Sequence, residues 1–408
     1  MLMTSSLALG VTFALAGLAV VASVPVVVLV VQTLGYLALR GRFQASAKAT
    51  DGSRPLVGVL VPAHNEALAI GGTVVQLRLQ LAPTDRLLVI ADNCSDDTAA
   101  RARAAGAEVT ERCDTERRGK GYALDWGLSQ FEAAPPEVVI VVDADCTVAT
   151  GSLDIMARAA VRMGRPVQSK NLLVLQEAPS LKLRVAAFAW HFKTEMRTLG
   201  RQAYGLPCQL MGTGMAFPWR LIRGASLASG NIVEDLQLGV DLTVAGYPPV
   251  FLPDASVRSF FPDNDSGAEA QRTRWEHGHL AVMLSAVPRL LREAVRQRRP
   301  VLAAAALDYC VPPLALLTVM LTLTCAANAV WFVIVGASIG FVIATSAMVL
   351  LAACVGCAWA TGGRKFLSAT QLLGVPLYVI GKLPMYLRWA AGKRQKEWVR
   401  TDRKNGPR

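Results

Sequence analysis

The sequence predicts an α/β domain on a doubly wound, mostly parallel sheet, with transmembrane helices at both ends. Three observations carry that expectation. Residues 7–39 and 301–361 are almost continuously apolar, short β-branched runs alternate with helical spacing through about 54–290, and those runs end on polar clusters. At 408 residues the chain has room for one large domain with its own core plus membrane segments.

Residues 7–39 contain no charged side chain and exceed the ~20 residues needed to cross a hydrocarbon core. One spanning helix is expected within 1–40. No basic residue precedes the run and it outlasts the apolar part of a leader, so a cleaved signal peptide is not expected. Arg40, Arg42, Lys48 and Arg54 follow the span closely, which places its far end and the following domain in the cytoplasm at the plasma (inner) membrane.

Within 54–290, Leu56-Val-Gly-Val-Leu-Val61 is a buried strand ended by Pro62, and residues 67–81 have helical spacing. Arg86-Leu-Leu-Val-Ile-Ala91 is a second strand, closed by Asp92-Asn-Cys-Ser-Asp-Asp97 before a helix over 98–105. Val138-Val-Ile-Val-Val142 is a third strand and ends on Asp143. Strands and helices in alternation imply parallel pairing. Ligands of such sheets lie beyond the carboxyl ends of the strands, where the polar clusters fall.

Residues 301–361 are long enough for two spans with a turn around Gly336-Ala-Ser-Ile-Gly340. Arg289, Arg292, Arg296, Arg298 and Arg299 before the block, and Arg364 and Lys365 after it, belong on the cytoplasmic side. Pro376, Lys382 and Pro384 make 366–389 an interfacial or re-entrant segment, followed by a basic cytosolic tail over 390–408 with Lys393, Arg394, Lys396, Arg400, Arg403, Lys404 and Arg408. Three crossings are expected, with four as the alternative. The short tail leaves no regulatory domain to expect.

The net charge of +12 sits largely in these juxtamembrane clusters. Anionic lipid head groups are its partner, and nucleic acid is excluded. Cys94, Cys113, Cys146 and Cys208 fall in the cytosolic domain, where disulfides are not expected. Cys354-Val-Gly-Cys357 has redox spacing but lies in an apolar span and reads as packing.

Asp143-Ala-Asp145 sets two carboxylates after a strand, where both can reach one hard cation such as Mg²⁺ or Mn²⁺; the alternative is a solvated turn. Asp92 can accept hydrogen bonds from a base or ribose, and Asn65-Glu66 after the first strand can line the same cleft. Asp96 and Asp97 read as caps of the next helix. His64 has no partner at ligand spacing. Arg117-Arg-Gly-Lys120-Gly121 is a basic, Gly-rich loop that sets cations against a diphosphate or is simply a solvated turn. Glu234-Asp235 opens a helical run, either as dipole complements or as a general base. Gln271-Arg-Thr-Arg274-Trp275 joins an amide, two guanidinium groups and an indole before a membrane segment, where Arg can hold a diphosphate and Trp can stack on a sugar ring; the alternative, an interfacial Trp with snorkelling Arg, does not account for Gln271. His277 and His279 lack a third metal ligand. No Gly-x-Gly-x-x-Gly follows the first strand, and no Walker-type loop is present.

Taken in order, Asn65-Glu66, Asp92, Lys120, Asp143-x-Asp145, Glu234-Asp235 and Gln271-x-x-Arg274-Trp275 resemble the membrane-integrated family 2 glycosyltransferases, the group of bacterial cellulose, hyaluronan and chitin-oligosaccharide synthases. The resemblance covers the whole cytosolic domain. It implies a GT-A fold and an inverting displacement on a UDP-sugar, with growing β-linked polysaccharide as acceptor and single addition to a lipid, as in the ceramide glucosyltransferase branch, as the alternative. It further implies Asp92 at the uridine, Asp143 near the diphosphate, Asp145 on the metal, Asp235 as base with Glu234 beside it, and Gln271, Arg274 and Trp275 at the acceptor end and diphosphate. Gly212-Thr213-Gly-Met215 resembles the loop bordering the acceptor. Asp-Asn-Cys-Ser stands where many members have Asp-Asp-Gly-Ser, and three or four crossings are fewer than in cellulose synthase, so a polymer product calls for a second copy or an export partner.

Overall fold

The computed structural model describes residues 2–41, 53–175, 179–228, 230, 233–261 and 265–392. Arg42, Lys48 and the basic residues of 393–408 lie outside the described residues. Eight strands form one sheet: β1 (Val57–Ala63), β2 (Arg86–Asp92), β3 (Glu108–Arg112), β4 (Val138–Val141), β5 (Thr147–Val148), β6 (Val167–Val174), β7 (Met215–Pro218) and β8 (Val250–Phe260), in the order β3-β2-β1-β4-β7-β6-β8-β5.

The first four strands are parallel, as alternation with helices requires. β7 runs against both β4 and β6, and β5 against β8, so the sheet is mixed. The reason lies in connectivity. The chain leaves β6 into a helical excursion and re-enters beside the carboxyl end of β4, where Met215 pairs with Val141. It can only return antiparallel, and it thereby carries the Gly212–Gly214 turn to the edge where Asp143 lies.

Period-2 alternation sends Val57, Val59, Val61, Val138 and Ile140 to one core with the helices Ile70–Arg78 and Ser152–Met163. Leu60, Leu88, Ile90, Val139 and Val141 go to another with the helix Lys120–Ser129. Both faces are covered, which explains the continuous apolar runs. β1 extends through Pro62 to Ala63 instead of ending before it. Its pairing with β4 stops at Leu60–Val141, so the imino nitrogen lies past that ladder.

Among the described residues, three helices are long and apolar enough to cross a membrane: Ser6–Leu39, Leu314–Val335 and Ile339–Thr361, with mean hydropathies of 2.7, 1.9 and 2.3. They pack through Val26, Leu29, Leu317, Leu321, Ala347 and Leu351, and Trp331 Nε1 donates to Thr12 Oγ1 at 2.8 Å. The apolar block from 301 does not begin a span. Pro300–Tyr309 is a separate helix, and Pro312-Pro313 break the backbone before Leu314. Beyond 366, a turn of 3₁₀ helix (Gln371–Gly374) and the helices Val375–Gly381 and Leu383–Ala390 are each far too short to cross. All cysteines among the described residues are free, and Cys354 packs in the core among the apolar helices.

The first apolar helix is joined to the α/β domain by a buried polar knot. Asp308 Oδ1 accepts from Gln32 Nε2 at 2.8 Å and Arg197 Nη2 at 2.9 Å, and Oδ2 from Gln209 Nε2 at 2.7 Å and from Arg201. Next to it two glycines let backbones touch: a Cβ on Gly200 would fall 1.9 Å from the Gln32 carbonyl oxygen.

Candidate active site

A cleft of about 250 Å³ opens at the carboxyl edge of β1, β2 and β4. Glu66, Asp92, Lys120, Asp143, Asp145, Gly212, Thr213, Glu234, Asp235, Gln271, Arg274 and Trp275 all line it. Asn65 does not. Its left-handed backbone (φ 56°) turns the carboxamide so that Oδ1 accepts from Ser95 N at 2.7 Å, tying the loop after β1 to the loop after β2. Asp96, not Asp97, does the capping: its Oδ1 accepts from Thr98 N at 3.0 Å, whereas Asp97 at the N-cap makes no such bond. His64 Nδ1 meets the Asp92 carbonyl oxygen at 2.7 Å.

The acidic centre is built by three elements. Asp143 and Asp145 follow β4, and Asp143 N donates to Thr213 Oγ1 at 3.1 Å. Lys120, the first residue of its helix, donates to Asp143 Oδ1 and, at 2.7 Å, to the Gly212 carbonyl oxygen, with Glu234 Oε1 at 4.0 Å. Gly212 has φ 80°, and a Cβ there would lie 3.4 Å from Asp235 Oδ2 and 3.5 Å from Lys120 Nζ. That glycine brings a backbone carbonyl against the ammonium while leaving the Asp235 carboxylate clear of a side chain. Glu234 and Asp235 begin the helix Glu234–Val244, where Asp235 Oδ1 accepts from Leu236 N at 2.8 Å.

Burial disfavours every charge here, and the pattern of partners decides which survive. The Lys120 ammonium is opposed by burial, but Asp143, Glu234 and Asp235 outweigh this and hold its pKa above the ordinary lysine range. Burial raises the carboxyls of Glu234 and Asp235, with Lys120 opposing. Asp143, Asp145 and Cys146 bring their ligand atoms within 4.8 Å of one another. Burial and then the Asp143 charge push the Cys146 thiol up to about 12, and its Sγ lies 3.2 Å from Ser259 Oγ. The two carboxylates are the hard oxygen donors of this set, which suits a hard cation.

Several groups were not legible beforehand. Asp92 is paired with buried Arg112, whose Nη1 donates to Oδ1 at 2.7 Å; the two are neighbours across β2 and β3. Trp190 packs against Trp275 with centroids 4.8 Å apart and the rings tilted by 30°, and donates from Nε1 to the Asn171 carbonyl oxygen at 3.0 Å. Lys193, in the single π-helical turn Phe192–Met196, also lines the cleft. The available signal is Lys193, Arg197 and Arg201 at four-residue spacing, a basic row along one helical segment. The amide oxygen of Gln271 is buried and has no hydrogen-bond partner among the described residues.

Comparison with known proteins agrees with this geometry. Over 252 residues the chain is 27% identical to the probable glycosyltransferase YdaM of Bacillus subtilis, covering 56% of each chain. It is 25% identical over 246 residues to the probable glucomannan 4-beta-mannosyltransferase 1 of Arabidopsis thaliana, covering 55% of this chain and 43% of that one, and 30% identical over 125 residues to the 4,4'-diaponeurosporenoate glycosyltransferase of Staphylococcus aureus, covering 30% and 32%. The chain thus spans about half or less of the length of these curated relatives. The mannosyltransferase PcManGT of Pyrobaculum calidifontis, solved in complex with GDP-Man and Mn²⁺, shares the fold with a TM-score of 0.50 at 18% identity, over 93% of this chain and 100% of that one. The model for glycosyltransferase-like family 2 matches residues 54–278, more than half of the chain. The chain belongs to that family, with a GT-A-like α/β domain and three candidate membrane spans.

Proposed function

We propose that the protein is an inverting, metal-dependent hexosyltransferase that moves one sugar from a UDP-sugar to a hydroxyl of a membrane lipid at the cytoplasmic face. The observation that carries the transferase part is the convergence of Asp143, Asp145, Lys120 and Asp235 on one cleft at the carboxyl edge of the sheet. Asp143 and Asp145 would hold Mg²⁺ or Mn²⁺, which when bound neutralises charge on the departing diphosphate. Lys120 and Arg274 add cations to that end of the cleft. Asp235 takes the acceptor proton as the acceptor oxygen bonds to the anomeric carbon, the anomeric C–O bond to phosphate breaks, and the nucleoside diphosphate leaves with the electron pair.

A second cavity of about 430 Å³ lies behind the Trp190–Trp275 pair and is mostly apolar, which supports a lipid acceptor. A second reading, elongation of a β-linked polysaccharide, is supported by the paired indoles as a sugar platform and by the likeness to a glucomannan mannosyltransferase. The test is full-length protein in detergent with Mn²⁺, a panel of labelled UDP- and GDP-sugars and a membrane lipid extract. Label recovered as one sugar on an organic-extractable product supports the lipid reading. A ladder of oligosaccharides would replace it with the polymer, and full turnover in excess chelator would remove the metal role.

A further inference from the structure

The cavity behind the indole pair continues from the cleft. Leu173, Trp190, Lys193 and Trp275 line both. Beyond them its wall is mostly apolar, with Phe188, Phe192, Val311 and Val375, and it reaches Leu314 and Val355 on two of the candidate membrane spans. The chamber therefore joins the membrane-spanning elements to the cleft along a largely apolar wall.

Among the described residues the charged groups on this wall are held within the protein, with one exception, and His279 Nδ1 has no hydrogen-bond partner. Arg197 is held by Asp308 and by Gln32 Oε1 at 2.9 Å. Arg272 Nη1 donates to the Lys182 carbonyl oxygen at 3.1 Å, and His279 Nε2 meets that of Val311 at 3.0 Å. Glu276 accepts from Tyr386 at 2.6 Å and from Lys382 at 2.5 Å. The Lys193 ammonium has neither an ion pair nor a side-chain hydrogen bond among the described residues, although it lines both cavities. The carboxylates acting on it are Asp235 and Asp308, with Arg197 and Arg201 opposing, whereas Lys120 answers to Asp143, Glu234 and Asp235. Lys193 thus shares the cleft with Asp235. A cation left unpaired where an apolar chamber meets a reaction centre is costly unless a ligand supplies the anion.

We infer that the acceptor is an acidic lipid, whose hydrocarbon fills this chamber and whose oxyanion pairs with Lys193 while its hydroxyl faces Asp235. This rests on the transferase reading of the cleft and narrows its acceptor to amphiphiles bearing a carboxylate or a comparable oxyanion. Lys193 is then a specificity-determining residue.

The experiment uses full-length protein in neutral detergent micelles at pH 7, with tryptophan fluorescence quenched by dibromostearic acid or by dibromo-octadecanol. The acid should bind about tenfold more tightly than the alcohol, the size expected of one charge-assisted contact. The preference should fall to within about twofold in K193M and return in K193R, both still binding the alcohol. K193Q takes the place of K193M should the latter lose alcohol binding. Equal binding of acid and alcohol by the unmodified protein, or a preference that survives loss of the lysine charge, overturns the inference. Mn²⁺-dependent cleavage of a nucleotide sugar in the same micelles separates the two readings. Cleavage without acid preference removes only the acidic lipid, and acid preference without cleavage removes the transferase reading alone.

Discussion

Lys120 and Lys193 are the two lysines of the cleft, and their surroundings are opposite. Lys120 starts a helix on the sheet side and is clamped between the Asp143 carboxylate and the Gly212 carbonyl. Lys193 sits in a π-helical turn on the apolar side, where burial and then Arg197 bring its pKa down to about 8. The same side chain serves as a fixed cation in one half and an uncompensated one in the other. The half with built-in compensation suits a ligand that brings its own metal and diphosphate, and the other half suits a ligand that brings an anion on a greasy chain. Lys193 is therefore the one of the two to lose its proton first as pH rises, and the proposed preference for an acidic ligand should fall with it.

The comparison breaks most severely at the base. Asp235→Asn removes a proton acceptor and little volume, so the transfer rate should drop by about 10²- to 10⁴-fold with donor binding kept. Rapid-quench turnover beside donor calorimetry checks this. A variant that lost donor affinity yet turned bound donor over normally would hand the base role to Glu234.

Asp308→Asn should act on the whole protein. Asp308 is paired with Arg197 and Arg201 below the chamber, and removing one partner of a buried pair costs about 3–5 kcal/mol. Thermal unfolding in detergent should show a large loss of stability, and an unchanged midpoint would deny the knot its structural role.

Gly212→Ala is a finer probe of the donor half. A Cβ finds ordinary contact distances there, so the cost is the left-handed backbone at φ 80°, about 1–2 kcal/mol. Stability should fall by that amount and donor affinity should weaken as the carbonyl leaves Lys120. The smallest effect is on pH. Burial raises Asp235, and a raised carboxyl stays protonated to higher pH, so activity should be lost on acidification at a pH above the range of an exposed aspartate. A pH–rate profile whose acid limb lies near 4, the ordinary aspartate value, would contradict the buried base.

How much of this was legible in the sequence follows from distance along the chain. The strands ending on Asp92 and Asp143 show because a buried parallel strand is a continuous apolar run and its carboxyl end must turn polar. Glu234 at a helix start shows by periodicity. Arg112 beside Asp92, Trp190 on Trp275 and Gln32 on Asp308 do not show, since each joins segments with no local pattern in common. The antiparallel β7 was hidden because its direction is set by where the helical excursion re-enters, not by its own four residues. Asp308, an acid inside an apolar block, was a signal that a span over 301–361 begins later than composition suggests.

The most direct test of the division between the two halves is to measure donor affinity and acceptor KM side by side in Asp145→Ala and Trp275→Ala. The first change removes a carboxylate of the proposed metal pair and should abolish Mn²⁺-dependent donor binding. The second removes half of the indole wall and should raise acceptor KM by about tenfold, as loss of a stacking platform implies, with donor affinity unchanged. Donor affinity retained in Asp145→Ala, or lost in Trp275→Ala, would contradict the account.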